Sequence, residues 1–179
     1  MLLEVLQFPD PLLREKALPI AQDEVDDALR ALARDMAETM YDEPGIGLAA
    51  TQVGVKKRLI VMDLDYSDGE RNLRVVLNPE IVNAEGNVVS EGEACLSVPD
   101  YSADVPRRER VRVRGRTLDW EEVEYDAEGL EAVCFQHEID HLDGVLYIDR
   151  ISKLKRDLYV RRRKKQLKRE REEQEGVRL

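Results

Sequence analysis

An α+β fold is what this 179-residue sequence predicts: antiparallel strands packed around a central helix, with a further helix at the C-terminus. Three observations carry that expectation. Apolar residues recur at helical spacing over residues 24–40 and again over 128–143. Between those segments the period shortens to that of strands. The strands follow one another without intervening helices, unlike the regular βαβ alternation of a parallel sheet.

The elements follow in order. Asp10 before Pro11 reads as a helix N-cap with proline in the first turn, opening a short helix through PLLREKA. Val25, Leu29, Leu32, Met36 and Met40 fall on one face of a helix whose opposite face is acidic. DEPGIG at 42–47 stops that helix and begins a glycine-rich loop. RLIVMDL at 58–64 reads as a buried strand and LRVVLN at 73–78 as another. RVRVRGR at 110–116 alternates valine with arginine, the pattern of a half-exposed strand, and TLDWEEVEY at 117–125 is expected to return beside it. Leu130, Val133, Cys134 and His137 are spaced i, i+3, i+4 and i+7, with Gly144 where a C-terminal glycine cap belongs. A highly charged last helix covers 151–175.

Composition narrows the class. The chain is long enough for one domain with a real core. Two cysteines are too few for a disulfide scaffold, so a reducing compartment is expected. The N-terminus has no basic region, and its apolar run is broken by Pro9 and Pro11, unlike a signal peptide. Nothing approaches ~18 unbroken apolar residues, so no membrane-spanning helix is expected. The net charge is −10. Residues 151–179 hold 12 Lys and Arg against 5 Asp and Glu, a net of +7 that leaves −17 for residues 1–150. An acidic body with a basic tail suggests a separate partner for the tail.

The chemistry concentrates in CFQHEIDHLDG, residues 134–144. Both histidines of the chain, His137 and His141, lie there with Glu138 after the first. Residues four apart on a helix share a face, about 6 Å apart, so two imidazoles can converge on one metal ion. Glu138 falls on the flank, where a general base belongs. The competing reading is a solvated helix in which chance placed the only two histidines at metal spacing.

A catalytic metal of this kind needs a third protein ligand. One protease pattern would supply histidine at 147, but the residue is Tyr147. Another would take a downstream glutamate, but the next is Glu170, in a basic run. Cys134 shares the helical face, yet lies about 10.5 Å along the axis from His141; core packing suits it better. Cys95, in the small-residue segment EGEACLSVPD between strands, is free to arrive from elsewhere or to be a structural cysteine.

Three segments, in order, resemble the peptide deformylases, metal enzymes that remove the N-formyl group from new bacterial and organellar proteins. They are GIGLAATQVG at 45–54, EACLS at 93–97 and QHEIDHLDG at 136–144. FPDPLLREKA and the basic last helix are similar too, so the resemblance covers essentially the whole chain. Ala94 departs from the glycine usual in the family. The resemblance implies that Cys95, His137 and His141 bind the metal and that Glu138 is the general base. It gives Gln52 and the Leu96 N–H the developing oxyanion, and Gly45 and Gly47 close backbone contact with an extended peptide. Ile46, Leu130, Val133 and Cys134 become candidates for the methionine pocket. The implied metal is a single divalent ion, Fe²⁺ first, with Zn²⁺, Ni²⁺ or Co²⁺ bound by the same ligands. Glu93 and Arg107 either support the site or form an ordinary ion pair.

The expected protein is therefore a cytoplasmic deformylase acting on N-formyl-methionyl ends of nascent chains. Residues 1–150 would form the catalytic metallohydrolase body, and 151–179 a basic helix of the same domain. Leu154 and Leu158 are expected to dock that helix, and the resemblance implies contact with ribosomal RNA, through phosphates, by its basic face. Two other functions compete. An internal peptidase would share His137, Glu138 and His141 but lacks the usual completions. A metal-stabilised RNA-binding module would use the tail but leave Glu138 and Gln52 without roles. Read alone, GIGLAATQVG is a glycine-rich turn; it has neither the lysine of a phosphate loop nor G-x-G-x-x-G spacing.

Overall fold

The computed structural model describes residues 1–66 and 69–177. Its centre is a five-stranded antiparallel sheet in the order β1-β2-β3-β6-β7. The strands are β1 (Gly47–Ala49), β2 (Leu59–Met62), β3 (Arg74–Glu85), β6 (Arg110–Arg116) and β7 (Glu122–Glu128). β4 (Val88–Cys95) and β5 (Val98–Arg107) pair separately as a two-stranded hairpin.

The sheet is covered on both faces, and β2 shows why the sequence demands it. Its four residues are all buried. Leu59 and Val61 pack toward α1 (Asp27–Asp42), with Leu29, Ala33, Met36 and Met40. Ile60 and Met62 pack on the opposite side with Ala132, Phe135, Ile139 and Leu142 of α2 (Gly129–Leu142). An uninterrupted apolar run is what a strand between two helices needs. A third cluster joins Val98 and Val105 of β5 to Leu146, Tyr147 and Ile148 and to Tyr159 of the last helix, α3 (Lys153–Val177).

Several boundaries differ from expectation. PLLREKA yields only one 3₁₀ turn, Pro11–Arg14, although the Asp10 carboxylate caps Leu12 N–H as the sequence suggested. The strand expected at 73–78 continues to Glu85. Pro79, which cannot donate to a ladder, falls where the pairing with β6 shifts register between Leu77 and Glu80, so the strand runs past it. EGEACLSVPD is not a connection between strands; it is the hairpin itself, with Cys95 ending β4 and Val98 beginning β5. Leu154 and Leu158 do not dock α3: they are 71% and 54% exposed. Tyr159 and Arg163 do so instead. The Tyr159 ring stacks on Tyr101, and Arg163 donates to Phe8 O at 2.9 Å and Gln7 Oε1 at 3.2 Å.

Candidate active site and metal centre

α2 runs through the interior, so its polar residues are placed by burial. Glu128 is the N-cap residue; the helix stops at Leu142, Asp143 is its C-cap, and Gly144 follows with a φ of +74°. A Cβ there would lie 2.5 Å from Arg14 O, so only glycine lets the N-terminal 3₁₀ turn cross the helix end. His141, Glu138 and Cys134 are all nearly inaccessible on this helix.

The hairpin brings the partners. Glu93 and Cys95, two apart on β4, face the same side, and both reach the histidines. Cys95 Sγ lies 3.2 Å from His141 Nε2, which lies 3.2 Å from His137 Nε2. Ligand atoms of Cys95, His137 and His141 all fall within 4.8 Å of one another. His137 Nδ1 donates to Glu93 Oε1 at 2.6 Å, which leaves the lone pair of its Nε2 facing the other two donors. Two imidazole nitrogens and a thiol converge in one spot, a group that could hold a metal ion, and its donor set fits a divalent one. Cys134 is no part of it. Its Sγ donates to Ile46 O at 3.8 Å, and burial pushes its thiol well above the usual range.

Glu93 is held by Arg107, through Arg107 Nε at 3.2 Å and through Nη2. Burial disfavours the Glu93 carboxylate, but hydrogen bonds from His137 and Arg107 prevail and lower its pKa to about 2. Glu138 has the opposite fate. Burial pushes its carboxyl up to about 7, and its Oε2 is buried without a hydrogen-bond partner. A buried polar atom left without a partner beside a metal-binding group marks a place for a ligand or a reacting water.

Gln52 sits in a 3₁₀ turn, Ala50–Val53, directly after β1. Its Oε1 accepts from Ala49 N–H at 2.9 Å, which turns Nε2 toward Ser97 Oγ at 3.1 Å and Cys95 Sγ at 3.7 Å. A cleft of about 580 Å³ opens on this group. Gly45, Ile46, Gly47, Gln52, Cys95, Leu96, Leu130, Val133, Cys134, His137 and Glu138 line it together. His141 lies behind them, 1% exposed. Gly47 is fixed by proximity: a Cβ would stand 2.9 Å from Glu138 Oε1 and 3.0 Å from Cys134 Sγ. Sequence reasoning gave no role to Ser97 or Tyr147. Tyr147 occupies the position of the missing third histidine and stacks on His137, ring centroids 6.1 Å apart.

Among the described residues, no helix is long and apolar enough to cross a membrane. The model of the polypeptide deformylase family matches residues 2–157. The peptide deformylase of Alkalilimnicola ehrlichii is 55% identical over 155 residues, 87% of this chain and 85% of that protein. That of Bartonella tribocorum is 48% identical, covering 97% of each. Among solved structures, a peptide deformylase from Legionella pneumophila superposes with a TM-score of 0.86 at 41% identity, over 96% of this chain and 98% of that one. A class I type b peptide deformylase from Acinetobacter baumannii, solved with Met-Ala-Ser bound, gives 0.78 at 37% identity, over 84% and 99%. The family match spans most of the sequence, and relatives about half identical cover nearly all of it, so this protein belongs to the polypeptide deformylase family.

Proposed function

We propose that this protein removes the formyl group from N-formyl-methionyl ends of nascent polypeptides by metal-dependent hydrolysis, releasing formate. The observation that carries the reading is the unpartnered Glu138 carboxylate beside the Cys95–His137–His141 donor group, at the end of a cleft. These three residues would hold one divalent ion, which would supply activated water at neutral pH and polarise the formyl carbonyl. We assign Fe²⁺ as the native ion; the same donors accept Zn²⁺, Ni²⁺ or Co²⁺.

The remaining steps belong to the chain itself. Glu138 Oε2 accepts a proton from the attacking water and returns it to the leaving amine nitrogen. Gln52 Nε2 and the Leu96 backbone N–H donate to the oxygen that becomes negative, a preorganised donor being worth roughly 3 kcal/mol. Glu93 fixes the His137 tautomer. β1 is an edge strand of the sheet, pairing among the described residues with β2 alone, so Gly45, Ile46 and Gly47 offer backbone to an extended peptide. Ile46, Val133, Cys134 and the exposed Leu130 supply apolar surface for the methionine side chain. Met-Ala-Ser bound to the Acinetobacter relative supports a peptide beginning with methionine.

We further assign residues 1–150 to the catalytic body and 151–179 to a basic helix of the same domain, supported by the docking of Tyr159 and Arg163. The exposed cations of α3 suit ribosomal RNA phosphates, and a cytoplasmic location follows from a substrate made there.

The test is turnover of anaerobically purified protein on N-formyl-Met-Ala-Ser and its N-acetyl counterpart. Formate and free amine from the first alone are expected. No formate from metal-loaded protein would sink the reading.

A further inference from the structure

We propose that Arg150 is a positioning residue for His137, acting through Asp140, Arg107 and Glu93. The inference rests on the reading of His137 as a metal ligand. Both carboxylate oxygens of Asp140 are held by Arg150: Nε to Oδ2 at 2.6 Å and Nη2 to Oδ1 at 2.7 Å. Asp140 Oδ2 also accepts from Arg107 Nη1 at 2.7 Å. Arg107, 5% exposed, reaches from there to Glu93, and Glu93 accepts the His137 Nδ1 proton at 2.6 Å.

Charges alternate along this path, cation, anion, cation, anion, and then the imidazole. The two arginines and two carboxylates balance. A two-point arginine–carboxylate contact fixes orientation as well as distance, so Arg150 sets where Asp140 points, and Asp140 sets where Arg107 can stand. Without Arg150 the group carries one uncompensated negative charge. Arg107 then becomes the sole cation for both carboxylates, and its grip on Glu93 is shared. An ordinary surface ion pair contributes little, but here the acid partner is buried, at 9% exposure. The segment that bears Arg150 reinforces the assignment. It ends the 3₁₀ turn Tyr147–Arg150, whose first residue stacks directly on His137. One four-residue turn therefore bears on the imidazole by two routes, ring against ring and through the charged path.

The experiment measures Co²⁺ affinity by chelator competition, the Co²⁺ absorption spectrum, and melting of metal-free protein. It uses full-length Arg150→Met and Arg150→Lys, each also in a Glu93→Gln background. Partners of ligating histidines contribute about 10- to 100-fold in metal affinity, and Arg150 stands further out. Arg150→Met is expected to weaken Co²⁺ binding by about 10-fold and alter the spectrum. Lysine, lacking the planar fork, restores only part of this. In Glu93→Gln, where the path is already cut, the Arg150 effect falls below about twofold. Arg107→Lys provides a second cut should Glu93→Gln fail to fold. Lower melting with unchanged affinity and spectrum would overturn the inference, as would equal effects in parent and cut backgrounds. His137→Ala separates the premises: loss of Co²⁺ binding upholds the ligand reading whatever Arg150 does, and retained binding overturns both.

Discussion

α2 and α3 are the two helices of the C-terminal half, and they are held in opposite ways. Nine of the 14 residues of α2 are buried, whereas among the described residues of the 25-residue α3 only Tyr159 and Arg163 are. A helix enclosed by a sheet has to account for each polar group it carries. Gln136 accepts from Arg108 N–H at 2.8 Å and donates to Arg108 O at 2.9 Å. Asp140 lies between two arginines. What remains unpartnered is Glu138 Oε2 and His141 Nδ1. On a buried helix, unpaired polar atoms point to function. On an exposed one nearly every polar atom meets water, so α3 gives its information through charge and its two buried anchors.

The largest test of this contrast is Glu138→Ala, expected to lower kcat by roughly 10²- to 10⁴-fold while metal content by elemental analysis stays at one ion per chain. A variant within tenfold of the parent would remove the distinction between partnered and unpartnered groups. Phe135→Ala, at a fully buried position on the same helix, should cost about 3–5 kcal/mol in urea unfolding. Arg163→Met, which strips a buried guanidinium from Phe8 O and Gln7 Oε1, should cost about 1–3 kcal/mol. Leu158→Ala, on the open face of α3, should stay within about 0.5 kcal/mol. If Leu158 matched Phe135, α3 would be enclosed by something in solution and the contrast would fail.

How far each region was legible follows from the same difference. α1, β2, β6 and α2 declare themselves because one or both faces meet the core. β4 and β5 were missed because few of their residues are buried and glutamate, serine and glycine interrupt any apolar run. The histidine pair was plain from spacing, but spacing along the chain could not bring Cys95 to it; the hairpin does that. The anchors of α3 were misjudged because leucine was taken as the natural docking residue. The body offers rings and carbonyls there, at Tyr101, Asp100 and Phe8. An aromatic and two arginines answer them, Arg162 donating to Asp100 O at 2.9 Å.

The bond from Arg163 to Phe8 joins residues 155 apart in sequence. Closing so long a loop is entropically unfavourable until the body between its ends has formed. Such a contact belongs after the folding transition state, and an interaction absent there slows unfolding without hastening folding. α3 thus acts as a clasp on the lifetime of the native protein. In a denaturant chevron, Arg163→Met should raise the unfolding limb and leave the refolding limb where it was.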